Sequence, residues 1–202
     1  MNITDLLAQQ QDFFNSNKTK NVRFRIEQLI KFKKVLKENE NLLYRAISED
    51  FGKSEFETYV TELFSLYHEI NNCVKNIPKW SKHKKVSTGL INFPAKSYII
   101  PEPLGTTLVI GAWNYPYYLS LVPSITSLAA GNTVILKPSE LPSKTSEVMA
   151  KIINDHFPSE YFCVIEGGVK ETTELLEHRF DKIFFTGSIA VGKIIYQAAA
   201  NH

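Results

Sequence analysis

The period of the apolar residues along this chain changes near residue 104. Before that point they recur at steps of three and four, the spacing of one helix face; after it, short apolar runs alternate with stretches of helical spacing. Val22, Ile26, Leu29 and Leu36 mark one helical face, and Leu42, Leu43, Ala46, Ile47 and Phe51 a second, with Gly52 set to end it in a left-handed turn. Ser54-Glu55-Phe56-Glu57 has the form of a capping box. Phe56, Val60, Leu63, Tyr67, Ile70 and Val74 then read as one core stripe, ended by Pro78.

Past residue 104 the reading is strand–helix alternation. Strands are predicted at Thr107–Ile110, Thr133–Leu136, Phe162–Ile165 and Lys182–Phe185, with helices over 117–130, 143–156, about 170–178 and 188–201. Such alternation forces parallel pairing with right-handed crossovers. The predicted fold class is α/β: a doubly wound, Rossmann-like parallel sheet, incomplete, with an N-terminal helical part packed on it. The chain divides into three segments: a helical part over 1–78, a basic connector and extended edge hairpin over 79–103, and the sheet segment over 104–202. The connector opens with Lys79-Trp80-Ser81-Lys82-His83-Lys84-Lys85, either an anionic contact or a solvated link, and its brevity favours the link. Pro94, Pro101 and Pro103 around Ser97–Ile100 fit an edge strand and exclude a central one.

Composition narrows the function classes. With 44% hydrophobic and 22% charged residues the chain is an ordinary globular sequence. Its formal net charge of +2 gives no reason to expect nucleic acid as a partner. Cys73 and Cys163 have no metal or paired-thiol spacing, and His68, His83, His156, His178 and His202 form no metal pattern, so no metal site is predicted. The opening residues carry neither a basic segment nor a long apolar one, and no apolar run approaches the ~18 residues of a membrane span. The expected location is the cytoplasm, with no membrane segment in this chain.

Candidate chemistry sits where predicted strands end. Thr186-Gly187-Ser188-Ile189-Ala190-Val191-Gly192 comes after the fourth strand and opens a helix, so backbone can approach a ligand at Gly187 and free N–H groups can meet a phosphate. The same residues also suit a tight turn with close helix packing at Gly192. The usual GxGxxG dinucleotide fingerprint after the first strand is absent. Lys137 and Glu140 flank Pro138 after the second strand and could hydrogen-bond ribose hydroxyls, or form a surface ion pair. Asn114, just before Tyr115-Pro116, could close an Asx turn or aim its NH₂ at the oxygen of a tetrahedral intermediate.

Taken together, Gly111-Ala112-Trp113-Asn114-Tyr115-Pro116, Ala130-Gly131-Asn132, Leu136-Lys137-Pro138-Ser139-Glu140 and Phe185-Thr186-Gly187-Ser188 resemble the N-terminal portion of the aldehyde dehydrogenase superfamily. The match is strongest from Pro101 to Gln197 and looks most like the class 3 branch, which includes fatty aldehyde dehydrogenases. Ala112 stands where other branches more often carry proline. The resemblance implies a catalytic role for Asn114 in holding the aldehyde oxygen. It implies cofactor contacts at Trp113, Lys137, Glu140, Gly168, Gly187, Ser188 and Val191, with Lys137 and Glu140 on the adenine ribose and Gly187 and Ser188 near the pyrophosphate. Tyr115 and Leu119 would face the substrate entrance. The implied cofactor is NAD or NADP; a carboxylate at Glu140 would repel a 2′-phosphate, whereas class 3 relatives often take either.

The family's reaction, oxidation of a small-molecule aldehyde to an acid through a thioester, also needs a cysteine thiolate and a glutamate base. The resemblance implies that both lie beyond this chain, in a full-length form that is homodimeric. The 202 residues alone are therefore expected to be inactive and to leave apolar surface uncovered. Two other readings stand beside this one: a short dinucleotide-binding remnant or interaction protein without catalysis, and a superfamily relative acting on acyl phosphates or acyl-CoA.

Overall fold

Strands buried on both faces need apolar residues at successive positions, and that is what the second half of the chain supplies. The computed structural model describes residues 2–202. A helical half comes first: α1 (Ile3–Asn15), α2 (Val22–Glu38), α3 (Glu40–Phe51), a short α4 (Glu55–Thr58) that widens into a π turn over Tyr59–Leu63, and α5 (Phe64–Trp80). An antiparallel arm pairs β1 (Lys84–Val86) with β2 (Ser97–Ile99). The sheet-bearing half then runs through β3 (Thr106–Ile110), α6 (Pro116–Ala130), β4 (Thr133–Lys137), α7 (Ser143–His156), β5 (Phe162–Val164), α8 (Val169–Leu176), β6 (Lys182–Phe185) and α9 (Ile189–Ala199).

The predicted α/β class and parallel pairing are borne out. The sheet order is β5-β4-β3-β6, all parallel. Alternate side chains of each strand serve separate cores. Val109, Val134, Leu136, Phe162 and Val164 pack with α2, α3, α5, α6 and α7, whereas Leu108, Ile110, Ile135 and Cys163 pack with Ile3 and Leu6 of α1, Leu175 of α8 and Ile195 of α9. The sheet is thus covered on both faces, as a doubly wound architecture requires.

Two details of the helical half depart from the sequence reading. Of the residues in the predicted stripe, Leu63, Tyr67 and Ile70 are buried, but Phe56 is 80% exposed and Val60 stands in solvent. The π turn accounts for this: its extra residue rotates α4 about the helix axis relative to α5, and turns Thr58 and Glu62 inward instead. The helix also does not stop at Pro78. It continues to Trp80, held by the burial of Ile77 and by the Ser81 N–H donating to the Ile77 carbonyl at 2.9 Å. Of the predicted capping box, the Ser54 half forms, with the Glu57 N–H donating to Ser54 Oγ at 3.1 Å. Gly52 ends α3 at φ 68°, as its position suggested.

Two turns frame the sheet. Gly131 closes α6 at φ 98°, where a side chain would press on Arg25 and the Thr19 carbonyl. Asn132 then locks the entry to β3, its Oδ1 accepting from the Leu104 and Gly105 N–H groups at 2.8 and 3.0 Å. The arm forms a sheet of its own and exposes apolar residues. Leu90, Ile91 and Phe93 at its tip are almost fully exposed, and α9 likewise presents Ile189, Ile194 and Tyr196 to solvent. Among the described residues no helix is long and apolar enough to cross a membrane.

Candidate functional site

The register brings the strand ends level. Ile110 pairs with Lys137 on one side and with Phe185 on the other, and Leu136 pairs with Val164. Ladder bonds run one residue further: the Gly111 N–H to the Lys137 carbonyl (3.0 Å), Ile165 to Leu136 (2.9 Å) and Thr186 to Ile110 (3.2 Å). The four loops after these strands therefore leave the sheet along one edge. Strand order runs outward from β3 through β4 to β5 and then returns to the other flank of β3 with β6. Helices diverge to opposite faces at such a reversal and open a crevice between the β3 and β6 loops. A cavity of about 690 Å³ occupies that crevice.

Trp113, Asn114, Leu119, Lys137, Glu140, Gly168, Gly187, Ser188 and Val191 all line it. Tyr115 does not: its ring lies on the far side of the loop, beneath the Lys53 ammonium at 4.5 Å. The sequence reading passed over Thr172 and Thr173 of α8 and Ile194 of α9, which complete the wall. Their only signal was position, one turn inside helices that start at this edge.

Lys137 is not a surface ion pair. Its side chain is 1% exposed, and its ammonium donates to the Pro138 carbonyl at 2.7 Å. Burial pulls its pKa below the ordinary 10.5, and Glu140, Glu171 and Glu166 pull it back up. A buried ammonium with one protein acceptor keeps two donors for a ligand in the same cavity. Glu140 is exposed at the rim, with its Cγ close to Gly168, so a side chain at 168 would narrow the passage between them. Gly168 opens α8 and donates its N–H to Glu171 Oε2 at 2.7 Å. The Glu171 backbone N–H first, and the Gly168 N–H second, hold the Glu171 carboxyl below its usual range.

Asn114 is exposed to the cavity, and among the described residues its side chain makes no hydrogen bond, so the amide is not engaged in an Asx turn. The loop that carries it is close-packed beneath: a Cβ at Gly111 would collide with Ser120 Oγ. On the opposite wall Ser188 caps α9, its Oγ accepting from the Val191 N–H at 3.3 Å. At Gly187 both predicted roles coincide. A Cβ there would strike the Phe185 ring, and the residue also borders the cavity. Gly192 packs on the same ring.

Neither cysteine reaches this site. Cys163 is buried in β5, and burial pushes its thiol up to about 12. Cys73 is buried in α5; burial and a hydrogen bond to Glu69 likewise push it up to about 12. Among the described residues no cluster of His, Cys, Asp or Glu could hold a metal ion.

Known proteins give the same picture. A family model described as aldehyde dehydrogenase family matches residues 2–202. Aldehyde dehydrogenase family 3 member A2 of Pongo abelii is 44% identical over 189 residues, covering 94% of this chain and 39% of that protein. The dimeric NADP-preferring aldehyde dehydrogenase of Rattus norvegicus is 41% identical over 200 residues, 99% of this chain and 44% of its own length. The solved substrate-bound state of Staphylococcus aureus AldH superposes with a TM-score of 0.96 at 44% identity, covering all of this chain and 44% of that one. The chain thus spans about two fifths of the length of the curated relatives it matches. On the extent of the family match and the class 3 character of these relatives, the chain belongs to the aldehyde dehydrogenase family.

Proposed function

We propose that this chain forms the dinucleotide-binding and aldehyde-orienting part of an NAD(P)-dependent aldehyde dehydrogenase that oxidises aldehydes to carboxylic acids. One observation carries the reading. A free amide, Asn114, and a buried ammonium with spare donors, Lys137, face one cavity at the strand reversal of the sheet. The residues suit a dinucleotide: Lys137 and Glu140 offer a donor and an acceptor to ribose hydroxyls, Gly168 leaves room for the adenosine, and the start of α9 at Gly187 and Ser188 faces the pyrophosphate. Val191 is an apolar surface for the adenine, and the backbone at Trp113 borders the nicotinamide side. When bound, the nicotinamide supplies the hydride acceptor.

The chain's own contribution to chemistry is the Asn114 amide. Its NH₂ donates to the aldehyde oxygen and strengthens that bond as negative charge develops there. Leu119 lines the aldehyde approach from α6, whereas Tyr115 faces Lys53 on the far side of the loop. Residues 1–78 act as the helical support of the cofactor domain, 79–103 as connector and arm, and 104–202 as the cofactor-binding segment. The thiolate and the general base come from outside these residues, and the exposed apolar arm fits a homodimeric whole protein.

The buried, high-pKa thiols favour one further reading, a dinucleotide-binding module without catalysis of its own. The test separates the two. The 202-residue chain is titrated with NAD⁺ and NADP⁺, and aldehyde-dependent formation of reduced dinucleotide is measured on the protein isolated from its native source. Lys137→Ala should weaken dinucleotide binding about 10- to 100-fold, the worth of a charged hydrogen bond. Because burial lowers the Lys137 pKa, the charged form is lost as pH rises through a value below 10.5, and affinity should fall at a lower pH than an exposed lysine would give. Unaltered affinity in the variant sinks the cofactor reading; binding without any aldehyde oxidation by the native protein leaves the module.

A further inference from the structure

α6 begins with an arrangement that its own residues do not supply. Pro116, at its first position, has no N–H, and Tyr115 before it makes no side-chain cap. The first free donors are the N–H groups of Tyr117 and Tyr118, and both go to Glu62 Oε2, at 2.8 and 3.3 Å. Glu62 lies 55 residues earlier in sequence, in the π turn, and is wholly buried. Its other oxygen accepts from Lys53 Nζ at 2.8 Å. Lys53 in turn lies over the Tyr115 ring at 4.5 Å, close enough for a cation–π contact.

The pair therefore grips both sides of Pro116, through the Tyr115 ring and the Tyr117 N–H. The residue immediately before this grip is Asn114. The other end of its loop is fixed at Gly111, by the bond to the Lys137 carbonyl and by packing on Ser120. A negative carboxylate also suits the positive end of a helix, so the contact is electrostatically favourable as well as directional.

We infer that Glu62, paired with Lys53, is a positioning residue that sets where the Asn114 amide stands. The inference rests on the proposed role of Asn114 in holding the aldehyde oxygen. An oxyanion donor works only when aimed in advance, and a displacement of about 1 Å can cost on the order of 10²-fold in rate.

The test uses the native protein at its full length and two neutral pairs that differ in one respect. Lys53→Met with Glu62→Gln keeps an oxygen that can accept the Tyr117 N–H; Lys53→Met with Glu62→Met has a similar volume and no acceptor. Neither leaves a lone buried charge, so both are expected to fold. The first pair should keep kcat within about threefold, and the second should lose roughly 10- to 100-fold, with dinucleotide affinity unchanged in both. The second pair should add little loss on top of Asn114→Ala, because its effect runs through that amide. Equal kcat in the two pairs, or the same fold-loss with and without Asn114, would overturn the positioning role. If Asn114→Ala by itself leaves kcat intact, the role proposed for Asn114 fails, and the positioning inference fails with it. Hydrogen exchange at the Tyr117 amide, fast in the Met pair and slow in the Gln pair, reports on the grip whatever the activity does.

Discussion

Two of the helix starts on the cavity walls, those of α9 and α6, are built in opposite ways. α9 is capped by its own preceding residue, Ser188, at a surface where Ile189 and Val191 are exposed. α6 is capped by Glu62 from another part of the chain, over a buried floor formed by Gly111, Ser120 and Tyr117. The first can adjust around a ligand at little cost to the fold. The second is fixed on several sides, and the residue just before it is Asn114, proposed above to hold the aldehyde oxygen. Under the proposed function this difference divides the labour: the β6–α9 wall would accommodate the dinucleotide, while the β3–α6 wall would hold a donor still.

The largest expected effect tests that division directly. Asn114→Ala should lower turnover of the native protein by about 10²- to 10³-fold, the usual cost of an oxyanion donor, while dinucleotide affinity changes by less than about twofold. A parallel loss of affinity would mean that the two walls do not separate the roles.

A pair of glycine substitutions compares rigidity. Gly111→Ala drives a Cβ into Ser120 Oγ, and both residues are buried among backbone that cannot yield, so a cost of about 1–3 kcal/mol is expected. Gly187→Ala also meets a neighbour, but that neighbour is the half-buried Phe185 ring on the edge strand β6, with no backbone atom among the close contacts. Its cost should be under about 1 kcal/mol. Denaturant titration of the two variants measures this, and equal losses would remove the contrast between the walls.

The smallest effect concerns the local cap. Ser188→Ala should cost about 1 kcal/mol, with the loss confined to hydrogen exchange in the first turn of α9. A loss spreading to α6 would mean that the two helix starts are coupled.

Much of this architecture could be read from the chain. The strands come within a residue of prediction because two-sided burial demands runs such as Leu108-Val109-Ile110 and Val134-Ile135-Leu136. The loop residues at the strand ends were found for the same reason: once strands are parallel, the loops that leave their ends must share an edge. The basic run at 79–85 divides differently from the prediction, with Lys79 and Trp80 ending α5 and Lys84 and Lys85 entering β1. Where the reading slipped, a distant partner intervened. The residues around Lys137 leave a ribose contact and a surface ion pair both open, and the burial of β4 removes the second. Phe56 and Val60 read as core until the π turn rotates them out and Glu62 in.

The sequence by itself determined the fold class, the order of elements, the Gly52 turn and the set of loops that meet at the sheet edge. Each of these arises from interactions between residues close in the chain, or from the period of apolar burial. Only the tertiary structure decided which polar groups at that edge are free. Among the described residues the Asn114 side chain has no hydrogen-bond partner, the Lys137 ammonium donates to the Pro138 carbonyl, and the carboxylate that caps α6 comes from Glu62. Hydrogen-bond satisfaction is a property of three-dimensional neighbours, and no local pattern encodes a partner 55 residues away.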